Sequence, residues 1–205
     1  MKVYRIAVGI SPQYAHIHAQ MGQDPSKGIR VMWDDWLAKG NIIPDFVYSA
    51  YVICRQEVAV DLRQNFKGLS TFNLCWGKNP KEICAKDKSR LKWLPHEDVE
   101  MSGIYTNEEV SILPQSTVKY GISGLTGKDC IKEIIGSARV HGDDIIPRET
   151  GKGLFFDQEK VCNNDFFKPA GTFFLLCTET VKRYIQDRKY SNVLFLEVGD
   201  IVMAR

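Results

Sequence analysis

What this sequence is short of narrows it first. Its six cysteines, Cys54, Cys75, Cys84, Cys130, Cys162 and Cys177, include no C-x-x-C pair, so local spacing builds neither a zinc ribbon nor a redox motif. No apolar run approaches membrane-spanning length. The opening Met1 to Ile10 runs into Ser11-Pro12-Gln13-Tyr14 without the apolar core and small-residue cleavage site of a signal peptide. The expected compartment is therefore the cytoplasm, with reduced thiols. Cys54, Cys75 and Cys177, which lie among apolar or aromatic neighbours, are expected to be buried as small core residues.

Charge of one sign is also missing. With 27 Lys+Arg against 25 Asp+Glu the net charge is +2, too little to draw the chain onto a nucleic acid or an anionic membrane. Neither is an expected partner. The charge is uneven only locally: Lys78, Lys81, Lys86, Lys88, Arg90 and Lys92 are followed by Glu97, Asp98, Glu100, Glu108 and Glu109. That dipolar pair of segments reads either as half of an electrostatic interface or as solvated loops.

Catalytic signatures are scarce. No serine sits in a G-x-S-x-G elbow, and no cysteine has a family signature around it. Gly121-Ile122-Ser123-Gly124-Leu125-Thr126-Gly127-Lys128-Asp129 imitates a phosphate loop, but the spacing puts Ile122 where the first glycine belongs and Asp129 where the magnesium-binding hydroxyl belongs. A carboxylate aimed at phosphate is repulsive. His16 and His18 would share one side of a strand and could start a metal site, but no spacing ties His96, His141, Asp143 or Asp144 to them. Flanked by Pro12, Gly22 and Pro25, the pair reads as exposed polar histidines, and His141-Gly142-Asp143-Asp144 reads as a turn. No enzyme activity, cofactor or metal is expected. The alternative is a small metal-dependent or nucleophilic enzyme using His16, His18 and His141.

What is present is enough apolar material for a core. At 205 residues, 44% hydrophobic and 11% aromatic, the chain is expected to form a single α+β domain over residues 1–205. Lys2 to Ile10 reads as an opening strand. An internal echo follows: Tyr51-Val52-Ile53-Cys54 with Val58 and Leu62 is matched at one offset by Phe174-Leu175-Leu176-Cys177 with Val181 and Ile185. Each copy is an apolar run followed by residues four apart, which stack on one helix face. Thr71 to Trp76, alternating Phe72, Leu74 and Trp76 inward, and Val193 to Val198 then supply a further strand each. The expectation is two strand-helix-strand units, an internal pseudo-repeat, around a mixed or antiparallel sheet.

Three finer expectations attach to that frame. Thr178 caps the second helix, whose buried face holds Val181, Tyr184 and Ile185 while Arg183, Gln186, Asp187 and Arg188 face water. Thr126-Gly127-Lys128-Asp129 opens a short helix carrying Ile131, Ile134 and Ile135. Ser11 to Lys27, Gly77 to Lys92 and Val140 to Gly153 are loops.

Binding signals are stronger than catalytic ones. Met32-Trp33-Asp34-Asp35-Trp36-Leu37 sets two tryptophans around two acids, and tryptophan is the residue most enriched at interface hot spots. On a helix Trp33 and Trp36 would share a face. The segment reads either as a contact surface built from Trp33, Asp34, Asp35 and Trp36, with Glu97, Asp98 and Glu100 as acidic contributors, or as core indoles with solvated acids.

The order of elements resembles a known family. The N-terminal strand, Ile43-Pro44-Asp45-Phe46-Val47, the strand and helix from Tyr51 to Phe66, Phe166-Phe167-Lys168-Pro169-Ala170-Gly171, and the closing strand, helix and strand from Phe173 to Val198 resemble the immunity proteins encoded beside polymorphic or type VI secreted toxins. The stretch from Lys78 to Gly151 departs from that resemblance. It implies a cytoplasmic antidote in bacterial competition that binds one cognate protein toxin and blocks its active site stoichiometrically, bringing no catalytic residues of its own.

Overall fold

The computed structural model describes residues 1–36, 39–124 and 127–203. The chain opens with β1 (Lys2–Val8), β2 (His16–Ala19) and β3 (Ile29–Asp34). Short β4 (Phe46–Val47) leads to β5 (Ile53–Arg55), α1 (Gln56–Asn65), β6 (Ser70–Phe72), β7 (Leu74–Trp76) and the brief α2 (Pro80–Cys84). The middle holds β8 (Met101–Tyr105), β9 (Glu109–Val110), β10 (Val118–Ile122), β11 (Asp129–Ile134), β12 (Arg139–His141) and β13 (Asp144–Ile146). The chain then runs through β14 (Leu154–Asp157), α3 (Gln158–Val161), β15 (Phe166–Pro169), β16 (Leu176–Thr178), α4 (Glu179–Asp187) and β17 (Val193–Val202). With 17% helix and 39% strand in several mixed or antiparallel sheets, the fold is α+β.

The two strand-helix-strand units share one pairing scheme. In the first, β5 runs antiparallel between β4 and β8, and β8 pairs onward with β6. In the second, β16 runs antiparallel between β15 and β1, and β1 pairs onward with β17. The registers correspond: Phe46 faces Cys54 and Val47 faces Ile53, while Phe166 faces Cys177 and Phe167 faces Leu176. Even the loop hydrogen bonds agree, with Arg55 N donating to Asp45 O at 2.9 Å and Thr178 N to Asp165 O at 3.0 Å. The units differ in the source of their middle strand, which follows the helix in the first (β8) and comes from the N-terminus in the second (β1). The second sheet is extended by β14, parallel to β17, and by β9, parallel to β15.

Alternation along these strands sorts the core into layers. Cys54, Phe46, Cys177, Phe166 and Tyr4 point inward to one cluster shared with Val58, Ala59 and Leu62 of α1 and Val181 and Ile185 of α4. Their neighbours point the other way. Ile53, Val47 and Met101 meet Ile17, Ile29 and Val31 of a three-stranded sheet, β2-β3-β7. Leu176, Phe167 and Val3 meet Phe156, Val198 and Ile131 of the β10-β11 hairpin. Each fully buried aliphatic or aromatic side chain contributes about 1.5–3 kcal/mol of transfer free energy, so the shared inner cluster binds the two units into one body.

Several local expectations are corrected. Asp129 to Ile134 is a strand, so Ile131, Ile134 and Ile135 do not lie on a helix; the Thr126 cap itself falls outside the described residues. Gly121 and Ile122 lie in β10 and Asp129 opens β11, with Ile122 paired to Asp129, so both ends of the pseudo-phosphate loop are antiparallel strand residues. Thr71 to Trp76 is two strands broken at Asn73, with Phe72 buried in one sheet and Trp76 exposed at the end of another. Thr178 occupies the position before α4 without donating or accepting a capping bond. The expected loops hold β2, α2 and part of the β12-β13 hairpin. Cys54 and Cys177 are buried, but Cys75 is exposed, because its strand lies at the margin of the three-stranded sheet.

Candidate functional site

The Trp33 segment is a strand rather than a helix. Trp33 lies in β3, opposite Ile17 of β2, and Trp36 follows the strand end, where Asp34 Oδ1 accepts from its backbone amide at 3.1 Å. The two indoles therefore do not share a helix face. Trp33 is half-buried and stacks on Trp76 of β7, ring centroids 4.7 Å apart and planes tilted by 37°. The pair forms because β3 and β7 run parallel, with Val31 opposite Trp76. Trp76 is 43% exposed, so the stacked pair carries indole surface from the core onto the outside, while Trp36, 75% exposed, follows the strand end.

The backbone under these rings is held firmly. Asn79, buried, donates from Nδ2 to the Trp33 carbonyl at 3.1 Å and accepts from the Lys81 amide at 2.9 Å, which starts α2 with Pro80 at its first position. Gly77 N donates to Val31 O at 2.8 Å. Lys81 then reaches back to pair with Asp35, and this hydrogen bond holds the Asp35 carboxyl below its ordinary range. Ile83 on α2 is exposed. A fixed aromatic platform with an ion pair at its side can supply what a protein partner needs: rigid apolar area, low ordering cost and oriented charge.

Glu97, Asp98 and Glu100 are exposed in the segment before β8. Glu100 helps to seat α1, its carbonyl accepting from Gln56 N at 2.9 Å. Val99 between them packs on the same apolar cluster as Trp33, but among the described residues no hydrogen bond or ion pair joins the acids to the tryptophan segment. Of the basic run, Lys81 pairs with Asp35, Lys88 with Glu82 and Arg90 with Asp87.

Trp76, Asn79 and Lys81 are the members that sequence reasoning missed. Asn79-Pro80 is a helix-start signature and was legible; the meeting of Trp33 with Trp76 depends on a parallel pairing between distant segments and was not.

The histidines do not converge. His16, 1% exposed, is a core residue whose Nε2 lies 3.0 Å from the Ser11 carbonyl and whose ring packs on Tyr48, which corrects the expectation of an exposed pair. His18 is exposed on the same strand, and His141 ends β12 at a two-residue turn through Gly142 (φ 61°). Among the described residues no group of three or more His, Cys, Asp or Glu is arranged to hold a metal ion. No helix of the described residues is long and apolar enough to cross a membrane. Compared with known proteins, the chain matches no family model and no curated sequence.

Proposed function

We propose that this chain is an immunity protein that binds a cognate secreted bacterial toxin and blocks it stoichiometrically, using the Trp33, Asp34, Asp35 and Trp36 surface as its principal contact. The observation that carries the reading is the indole platform: Trp33 stacks on Trp76, which is 43% exposed, over a backbone clamped by Asn79, and Trp36, 75% exposed, follows the end of the same strand. An exposed tryptophan on a rigid support costs solvation in the free protein and returns it on docking, which is the pattern of a hot spot. The resemblance in element order to immunity proteins gives the class of partner. Glu97, Asp98 and Glu100 are its acidic contributors at the rim, where charge acts mainly on association rate.

Co-expression with the protein encoded by the neighbouring gene tests the proposal. A complex that co-purifies in a fixed ratio and weakens on Trp36→Ala supports it. A neighbour that never co-purifies, or a complex indifferent to both Trp36→Ala and Trp76→Ala, removes the toxin or the surface respectively.

A further inference from the structure

The correspondence between the two units singles out a cavity of about 420 Å³ beside the start of α4, lined in part by Asn163, Asp165, Thr178, Thr180 and Lys67. At the matching place in the first unit stands Arg55, the residue before α1. Its Nη2 donates to the Ile43 carbonyl, and its Nε lies 3.9 Å from Asp45 Oδ1. Asp45 and Asp165 immediately precede the paired Phe46 and Phe166 and accept the same backbone bond from Arg55 and Thr178. Ile43 and Asn163 stand two residues before those aspartates. The second unit thus keeps the carboxylate and the backbone of the first unit's guanidinium site, but replaces the arginine with a threonine and leaves the space open.

Thr178 carries an independent sign of a missing partner. It is 4% exposed, yet its Oγ1 has no hydrogen-bond partner, an arrangement that ordinarily loses stability unless something supplies the bond. We propose that this cavity is a binding subsite for a guanidinium group, placed beside the Asp165 carboxylate and the Thr178 hydroxyl much as Arg55 lies beside the Asp45 carboxylate and donates to the Ile43 carbonyl. A planar guanidinium offers several donors to a carboxylate and a hydroxyl at once. A cation before a helix start is normally opposed by the dipole, but Arg55 occupies that position before α1, where a carbonyl and a carboxylate offset it. An anion would be drawn by Lys67, the Met1 amino group and the open amides of α4 and repelled by Asp165, one of whose carboxylate oxygens accepts from the Lys67 amide at 3.0 Å; it has no counterpart in the first unit. The group can come from an arginine side chain of another protein or from a free guanidino compound.

Amide chemical shifts of the intact protein, titrated with ethylguanidinium at millimolar concentration, test this. Saturable shifts at Asn163, Asp165, Thr178 and Thr180 are expected, weakened at least about tenfold in Asp165→Asn. Thr178→Arg, which recreates the first unit's arrangement, should fold with an unchanged or raised Tm and abolish the shifts. No saturable response, an equal response in Asp165→Asn, inorganic phosphate moving the same amides in place of ethylguanidinium, or a Thr178→Arg protein that is unfolded or still responds would each overturn the proposal. Acetyl-Gly-Arg-Gly-amide binding more tightly than free L-arginine assigns the subsite to a protein arginine, and the reverse order to a free guanidino compound.

Discussion

The Tyr184 hydroxyl donates to Asp61 Oδ1 at 2.9 Å, and the two residues hold the same place in their helices, the sixth of α1 and the sixth of α4. A contact between equivalent positions is what a two-fold relation produces when its axis passes between the helices. Asp61 also accepts from the Tyr190 hydroxyl at 2.7 Å and lies 3.6 Å from Arg188, so one carboxylate ties together the two units.

Burial and the Asp61 hydrogen bond hold the Tyr190 phenol above its ordinary range. A folded pKa raised above the unfolded value, about 10, keeps its stabilising effect below that value and loses it as pH rises further, because the unfolded chain then releases its proton first. Denaturant melts between neutral pH and about pH 11 should show a fall in stability above about pH 10 that is shallower in Tyr190→Phe. Equal slopes would contradict the shift. Asp61→Ala should lower stability by about 1–2 kcal/mol at neutral pH.

Arg148 fastens the segment after the β12-β13 hairpin to β17. Its guanidinium, 6% exposed, lies 3.1 Å from Glu197 and 2.6 Å from Asp200. Arg148→Met should cost about 2–3 kcal/mol, less than a wholly buried pair because both acids are partly exposed. Arg148→Lys should not restore it, since one ammonium cannot serve both carboxylates in the same geometry. Thermal melts of the two variants read this directly.

Thiol reactivity should separate three of the six cysteines from two others, with the half-buried Cys130 between them. Cys75, Cys84 and Cys162 are exposed, whereas Cys54 and Cys177 are buried and burial pushes both thiols well up. A disulfide reagent at neutral pH should therefore label the three exposed thiols quickly in the native protein and reach Cys54 and Cys177 only on unfolding. Fast native labelling of Cys54 or Cys177 would contradict the inner core.

Trp36 makes little of the fold, so Trp36→Ala should change stability by no more than about 0.5 kcal/mol. If the platform is the contact, the same change should weaken toxin binding by about 2 kcal/mol or more, some thirtyfold. Calorimetric titration beside a thermal melt separates the two effects.

Much of the frame was legible because its signals are local. Val58 with Leu62, and Val181 with Ile185, announce α1 and α4 by spacing alone, and Arg183, Gln186, Asp187 and Arg188 face water as their positions require. The matching of Phe46 with Phe166 was not visible, because the loop to Cys177 is longer than the loop to Cys54 and breaks the common offset. Ile131, Ile134 and Ile135 satisfy helical spacing, yet Asp129 to Ile134 pairs with Val118 to Ile122; tertiary pairing overrides a short periodic run. The tryptophan segment itself was legible as a contact candidate, but the stacking of Trp33 on Trp76 stayed hidden for the same reason, since it is made by the parallel pairing of β3 with β7.

The most direct test is growth. Cells expressing the neighbouring gene's product alone should stop growing, and cells expressing it with this chain should grow, with rescue reduced when Trp36 and Trp76 are both replaced by alanine. A neighbour that is harmless alone, or one that kills equally with and without this chain, would contradict the antidote account.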